Sequence, residues 1–161
     1  MKNLFLFLAL ATFLVSCSIF SPKPESEPFY CKVNGKAWRP AKPEPLSFIY
    51  NLKGDWYKKN GRFNILAVHY PALVGFSIKI SEIKIGQYQL ENDILKSRGF
   101  YSPSSEPNRV TLNSTKGILT ITKCDETKVS GTFEFNVYDD LTKKEIKITK
   151  GQFNDLEYNT F

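Results

Sequence analysis

The sequence predicts an all-β domain, built as an antiparallel barrel or a two-sheet sandwich of about eight to ten strands. Aromatic residues make up 14% of the chain, and Thr, Ile, Val, Tyr and Phe recur in short runs. These residue types favour strands. Several runs alternate apolar and polar residues with period two, as half-buried strands do. After the first 16 residues, no stretch carries a sustained helical stripe of apolar residues.

The first predicted strand leads directly into a tight turn. Phe29, Cys31 and Val33 alternate with polar or exposed positions and so share one face of the strand. Asn34 and Gly35 follow, and both residue types tolerate a positive φ. The sequence therefore predicts a β-hairpin at this point.

Two more strands and two turns are predicted in the middle of the chain. Residues 63–68 are apolar on both faces, which indicates a central strand, and residues 76–80 alternate. Residues 53–55 and 60–61 contain Gly with Asp or Asn and are predicted turns. They bracket a predicted loop.

A meander of hairpins is predicted at the carboxyl end. The strands 117–123, 129–138 and 144–150 are separated only by short acidic segments, 125–127 and 139–140. Such short connections join antiparallel neighbours.

The amino terminus resembles a bacterial lipoprotein signal sequence. Lys2 precedes the apolar residues 4–14, and residues 14–17 read LVSC, which resembles a lipobox. The apolar stretch spans about a dozen residues, whereas a membrane-spanning helix needs roughly 20. The resemblance implies cleavage before Cys17, acylation of Cys17 with fatty chains such as palmitate, and a membrane-tethered mature protein.

Three parts of the chain follow from this interpretation. Residues 1–16 form the lipoprotein signal peptide. Residues 17–28 form the lipidated cysteine and a polar, proline-rich tether, which is a semi-rigid spacer. Residues 29–161 form a single all-β domain of ordinary size.

The domain resembles a family of small lipoproteins common in Bacteroidota. Residues 29–38 read FYCKVNGKAW, similar to the start F-x-x-x-V-N-G-x-x-W of that family. Residues 129–135, VSGTFEF, and 148–153, ITKGQF, are similar to its closing hairpin. The family is a domain of unknown function, so the resemblance implies the fold and the lipid anchor but no catalytic residues. Gly131 and Gly151 suit β-bulges or a close approach of two backbones.

Two cysteines remain after lipidation, Cys31 and Cys124. An exported protein meets conditions in which a disulfide forms, so these two are the candidate pair. Alternation along the two strands places Cys31 on an apolar face and Cys124 on a polar face, which argues for two separate thiols instead. Both alternatives stay open at this point.

Catalytic and metal-binding patterns are missing from the sequence. His69 is the one histidine and lies in a predicted strand. The acidic pairs at 125–126 and 139–140 lie in predicted turns, where acidic residues are common for backbone reasons. We therefore expect no catalytic residues, no metal site and no cofactor.

The candidate ligand-binding residues are Trp56 and Tyr57. They stand beside Lys58 and Lys59 in a predicted loop, and flat rings on loops stack on sugars or peptides. The alternative is that Trp56 folds back and caps an open end of the barrel. The barrel interior is another place for a small ligand, although the many large side chains favour a packed core.

The net charge of +6 comes from scattered lysines and arginines, so we expect no nucleic-acid partner.

The predicted function is that of a membrane-anchored envelope lipoprotein with a non-catalytic domain that binds a protein, a glycan or a small ligand. The alternatives are a hydrolase with an unrecognised site and an integral outer-membrane barrel. Ser18, rather than Asp, follows Cys17, which favours the outer membrane and leaves its periplasmic or outer face open.

Overall fold

A computed structural model describes residues 27–42, 51–104 and 110–161 of the chain. The predicted lipobox and Cys17 lie outside these residues. The described part contains ten strands and one short 3₁₀ helix, Lys58–Asn60. The strands are β1 Phe29–Val33, β2 Lys36–Trp38, β3 Leu52–Tyr57, β4 Arg62–His69, β5 Ala72–Lys79, β6 Gly86–Leu90, β7 Arg98–Ser102, β8 Leu112–Cys124, β9 Lys128–Asp139 and β10 Lys144–Thr160.

Seven of these strands close into a barrel. Neighbours pair in the order β3, β4, β5, β7, β8, β9 and β10, and β10 pairs back with β3. The closing pair is parallel, whereas the other pairs in the described part are antiparallel. The all-β prediction is confirmed, and a barrel rather than a sandwich is the architecture. The β1–β2 hairpin extends the sheet from β10, and β6 extends it from β8.

Aromatic side chains fill the barrel interior. Phe76 packs against Phe133 at 5.2 Å between ring centroids and against Phe153 at 5.6 Å. Phe63, Phe76 and Phe153 have no accessible surface. This interior agrees with the packed core that the composition favoured.

The predicted hairpins are present. Asn34 and Gly35 have φ values of 49° and 81°, as the turn between β1 and β2 requires. The C-terminal meander β8–β9–β10 is also confirmed. Its first turn is held by Asp125, whose Oδ1 accepts hydrogen bonds from the Thr127 and Lys128 N–H groups at 2.9 and 2.7 Å.

The prediction of a turn at residues 53–55 is wrong, because these residues lie within β3. Gly54 is there for a different reason. A Cβ at this position would lie 2.9 Å from Tyr158 Cβ on the parallel neighbour β10. The glycine permits the close approach of the two strands that close the barrel.

The last strand runs ten residues beyond its predicted end at residue 150. Two register shifts interrupt its pairing with β9, one before Gly151 and one before Leu156. Lys150 and Asp155, next to these shifts, have φ values of 50° and 44°. The bulges bend β10 around the barrel and break its alternation, so a period-two pattern does not reveal the full strand.

Candidate ligand-binding groove

Four polar side chains form a line across the outer face of the barrel. In the pairing of β3, β4, β5 and β7, Asp55 lies opposite Asn64, Asn64 opposite Ser77, and Ser77 opposite Arg98. Cross-strand partners project to the same face of a sheet. We call these four residues the polar row.

An apolar row lies beside the polar row on the same face. Leu66 is opposite Gly75, and Gly75 is opposite Phe100. A Cβ at Gly75 would lie 2.5 Å from Phe100 Cζ, so the phenyl ring lies directly over the glycine. Together the two rows give a surface that is polar along one side and apolar along the other.

The connection between β6 and β7 forms a wall of this surface. Arg62 donates hydrogen bonds from Nη2 to the Ile94 carbonyl at 2.7 Å and from Nη1 to the Lys96 carbonyl at 3.4 Å. Its Nη1 also lies 3.3 Å from Ser77 Oγ. Arg62 therefore fastens the connection to the barrel. The side chains of Ile94 and Leu95 remain 64% and 74% exposed.

These elements border an open groove of about 630 Å³, which we call the β3–β7 groove. The polar row, Leu66 and Phe100 line it together with Lys53, Tyr57, Arg62, Ile94 and Leu95. Small-molecule sites are clefts of about 300–1,000 Å³ in which a few polar groups fix the ligand. The groove has the size and the lining of such a site.

Positive charge dominates the groove. Lys53, Arg62 and Arg98 face a single carboxylate, that of Asp55. Asp55 is only 6% exposed, and its Oδ2 lies 2.8 Å from Lys53 Nζ. The hydrogen bond to Asp55 raises the pKa of Lys53, so the amine is charged at neutral pH. An anionic group is therefore the electrostatic complement of the groove.

Two buried polar atoms of the polar row lack partners. Asn64 Oδ1 and Arg98 Nε are buried and accept or donate no hydrogen bond within residues 27–42, 51–104 and 110–161. Leaving such a group unsatisfied costs about 1–3 kcal/mol. Each such group in a folded protein calls for an explanation, and completion of its hydrogen bonding by a bound molecule is one.

The predicted ligand-binding residues are separated by the structure. Trp56 is not on a loop tip but in β3, where it points into the barrel and is 7% exposed. Its position corrects the loop prediction, because alternation along β3 turns Trp56 inward and Tyr57 outward. Tyr57 lines the β3–β7 groove and stacks on Phe161, with 5.3 Å between ring centroids.

The two cysteines of the domain are free. Cys31 is buried between β2 and β10, and burial raises its pKa to about 12. Cys124 ends β8 with its Sγ 3.8 Å from the Ile83 carbonyl. The structure favours two separate thiols over the candidate disulfide.

The remaining titratable candidates have structural partners. His69 Nδ1 lies 2.7 Å from the Arg39 carbonyl oxygen. Asp139 accepts hydrogen bonds from the Leu141 N–H and the Thr142 hydroxyl in its turn. In the part of the chain that the structure describes, no group of three or more His, Cys, Asp or Glu could hold a metal ion. That part also contains no helix of the length and apolarity that a bilayer crossing requires.

Comparison with known proteins gives one family. The family model for a domain of unknown function, DUF6252, matches residues 56–157. The chain belongs to this family. No curated protein and no solved structure matches the chain. The match confirms the resemblance to a domain-of-unknown-function family, and it spans the barrel from Trp56 in β3 to Glu157 in β10.

Sequence patterns alone did not identify the groove. Each polar-row residue sits at an outward position of its own strand, where any solvated surface also carries polar residues. The four become a line only through the register between strands that lie up to 43 residues apart in the chain, from Asp55 to Arg98. The signal in the sequence was Asn64 between Phe63 and Ile65, together with Ser77 between Phe76 and Ile78.

Proposed function

We propose that this DUF6252 protein is an envelope lipoprotein whose barrel is a non-catalytic binding domain, with the β3–β7 groove as its binding site. The observation that carries the proposal is the pair of buried, unpartnered polar atoms in the polar row, Asn64 Oδ1 and Arg98 Nε, among the described residues. They lie in side chains that line a cavity of ligand size. Neither atom has accessible surface in the unbound protein, so a polar ligand would supply these hydrogen bonds once the two side chains turn toward it.

The location of the domain rests on the amino-terminal sequence. Residues 1–16 serve as the signal peptide, Cys17 carries the fatty chains, and residues 17–28 are the tether to the outer membrane. A single acyl chain holds a protein on the membrane only weakly, whereas several chains anchor it stably. The tether reaches the barrel at β10, where the Asn154 N–H donates to the Pro28 carbonyl at 3.1 Å.

The groove chemistry favours binding over hydrolysis. Glycosidases of the usual kind need two carboxylic groups across the scissile bond, and the groove contains one, Asp55, paired with Lys53. Ser77 contacts Arg62, and a guanidinium cannot act as the base that activates a serine. The hydrolase alternative is tested by whether the protein releases the ligand intact or cleaved.

The anchor is tested with one substitution and a matched control. Membranes from cells that produce the wild-type chain, Cys17→Ala or Cys124→Ala are washed with alkaline carbonate. We expect the wild type and Cys124→Ala to stay with the membrane and Cys17→Ala to be released. Mass spectrometry of the mature amino terminus should find acylated Cys17. An unacylated terminus, or a Cys17→Ala chain that stays embedded, contradicts the anchored-domain proposal.

The binding site is tested with the full chain purified in detergent and immobilised. A library of neutral and charged glycans and peptides is screened against the wild type, Arg98→Gln and Lys116→Gln. Lys116 is an exposed cation on β8, outside the groove, so its variant removes the same charge elsewhere. We expect a saturable ligand that Lys116→Gln retains and Arg98→Gln loses, recovered chemically unchanged. Recovery of a cleaved ligand would support the hydrolase, and an equal effect of both variants would remove the groove as the site.

A further inference from the structure

We infer that the ligand of the β3–β7 groove is an acidic saccharide, with its sugar carboxylate held by Arg98 and its hydroxyl groups along the polar row. The inference rests on the proposed function, because it names the ligand class of the same site. Three features of the groove carry it: a guanidinium with free donors, a row that offers both acceptors and donors, and an apolar floor.

Arg98 has most of its hydrogen-bonding capacity left for a ligand. Within the described ranges, its only hydrogen bond runs from Nη1 to Asn113 Oδ1 at 3.4 Å, and it forms no ion pair. A guanidinium has five N–H donors in a planar fork, which matches a carboxylate in a bidentate pair. Arg39, by contrast, is already paired with Glu27. Arg62 already donates to the Ile94 and Lys96 carbonyls, so Arg98 is the arginine in the described part with the most donors left for a carboxylate.

The polar row presents acceptors as well as donors. Asn64 Oδ1 and the Asp55 carboxylate accept hydrogen bonds, whereas Arg98 Nε donates. A hydroxyl group can do both, so neighbouring hydroxyls of one sugar satisfy a mixed row. Four strands at a spacing of about 4.8 Å give the row a length of roughly 14 Å. That length suits an oligosaccharide better than a single small ion.

The buried carboxylate in the row selects against polyanions. Asp55 is 6% exposed and lies opposite Asn64 in the row. A phosphate polymer would bring charge close to this carboxylate, and like charges at such distances repel. A ligand with one carboxylate and several neutral hydroxyls balances the excess positive charge without facing Asp55.

The other side of the groove suits the apolar face of a sugar ring. The Phe100 ring lies over Gly75, which Leu66 pairs with from the other side, and Tyr57 lines the opposite edge of the groove. Sugars use their C–H faces to stack on aromatic rings. Ile94 and Leu95 are exposed on the wall, where they would lose water on contact with the ligand.

The test measures binding of a panel of oligosaccharides that each carry a single uronate, by calorimetry, with the full chain in detergent. Each oligosaccharide is paired with its methyl ester, which keeps the hydroxyls and removes the charge. We expect at least one uronate to bind, and its ester to bind roughly 10- to 100-fold more weakly, since a charged hydrogen bond contributes about 1.5–3 kcal/mol. Arg98→Gln should weaken the uronate by a similar factor and the ester by clearly less, because the ester keeps the hydroxyl groups but not the charge. Lys116→Gln should change neither.

A second variant keeps the test decisive if Arg98→Gln does not fold. Asn64→Leu removes the unpartnered acceptor and should weaken the uronate and its ester alike, because both carry the hydroxyls. Equal affinity for the acid and its ester would overturn the inference. So would binding of an acidic peptide through Arg98 when no saccharide binds. In both cases the groove would still be a binding site. If no member of the panel, no acidic peptide and no ligand of the wider library binds in an Arg98-dependent way, the proposed function fails as well.

Discussion

The phenyl ring of Phe153 on β10 covers the backbone of Gly131 on β9. The two residues are direct partners in the strand pairing, and a Cβ at residue 131 would lie 2.5 Å from Phe153 Cζ. The same arrangement recurs where Phe133 covers Gly151. A ring packed over a cross-strand glycine fixes the register of the two strands. The same ring also fills the core. The register of the C-terminal meander therefore depends on space that only glycine leaves open.

Gly131→Ala should destabilise the barrel by about 1–3 kcal/mol, the usual range for overpacking a filled core. The added methyl group would meet both the Phe153 ring and the Thr120 carbonyl oxygen. Urea unfolding measures the change. The control is Gly86→Ala on β6, where the nearest atom to a new Cβ is Tyr88 Oη at 3.8 Å. If Gly131→Ala is as stable as Gly86→Ala, the Phe153 ring and the Thr120 carbonyl oxygen do not lie as close to residue 131 as the structure indicates.

Trp56→Ala should lower the free energy of unfolding by about 3–5 kcal/mol, as large-to-small changes of buried aromatic residues do. Tyr57→Ala, one residue along the same strand, should cost clearly less, because Tyr57 faces outward and stacks on Phe161 near the end of the chain. Urea unfolding of the two variants gives the comparison. Similar losses in both would mean that Trp56 is not part of the core. Loss of a ligand in Trp56→Ala therefore says little about binding unless folding is checked.

Arg62→Lys should loosen the connection between β6 and β7. Lysine cannot reproduce the two bonds that Arg62 makes to the Ile94 and Lys96 carbonyls. We expect amide hydrogen exchange within residues 91–97 to rise by roughly 5- to 10-fold, which corresponds to about 1 kcal/mol of lost hydrogen bonding. Arg39→Lys makes the same chemical change beyond the groove and should leave this segment as it was. An unchanged exchange rate in Arg62→Lys would show that the connection is held by other contacts.

The two thiols of the domain should differ in reactivity. In a Cys17→Ala chain at pH 8, Cys124 should be alkylated readily and Cys31 only after unfolding, because burial raises the pKa of Cys31 to about 12. Mass spectrometry before and after denaturation without reductant follows both sites. Two modified cysteines in the denatured sample support separate thiols. If neither Cys31 nor Cys124 reacts in the denatured sample, the two cysteines form a disulfide.

Acid should remove a contribution of Asp125 to stability. Hydrogen bonds from the Thr127 and Lys128 N–H groups hold the pKa of Asp125 below its ordinary value of 3.8. A carboxylate whose pKa is lowered by folding stabilises the fold above its ordinary pKa, and this stabilisation is lost as the pH falls through the lowered value. Asp125→Asn should therefore be less stable than the wild type at pH 7, and the difference should shrink below pH 3.8.

Urea midpoints between pH 7 and pH 2.5 measure this dependence. Glu126→Gln is the matched control, since the Glu126 side chain forms no hydrogen bond within the described residues. Its difference from the wild type should not follow the same acid curve. An Asp125→Asn difference that stays constant down to pH 2.5 would mean that the turn does not depend on the charged carboxylate.

Local patterns were enough to predict the β1–β2 hairpin, most of β4 and β5, and the C-terminal meander, but they placed a turn at residues 53–55, which lie within β3. Alternation at Phe29, Cys31 and Val33, the turn at Asn34 and the acidic turn at Asp125 each depend on residues that are neighbours in the chain. Such features are decided by backbone preferences and by which face is apolar, and the sequence shows both. The lipid anchor at Cys17 is likewise a prediction from local sequence.

Tertiary structure alone decided how the strands close and what they bring together. The parallel pairing of Gly54 with Tyr158, the bulges of β10 and the inward side of Trp56 all depend on contacts between distant segments. The groove follows from the same cause. Asp55 and Arg98 share one line because every register between them is set by core packing on the opposite face, and a shift of one residue would turn each polar side chain inward.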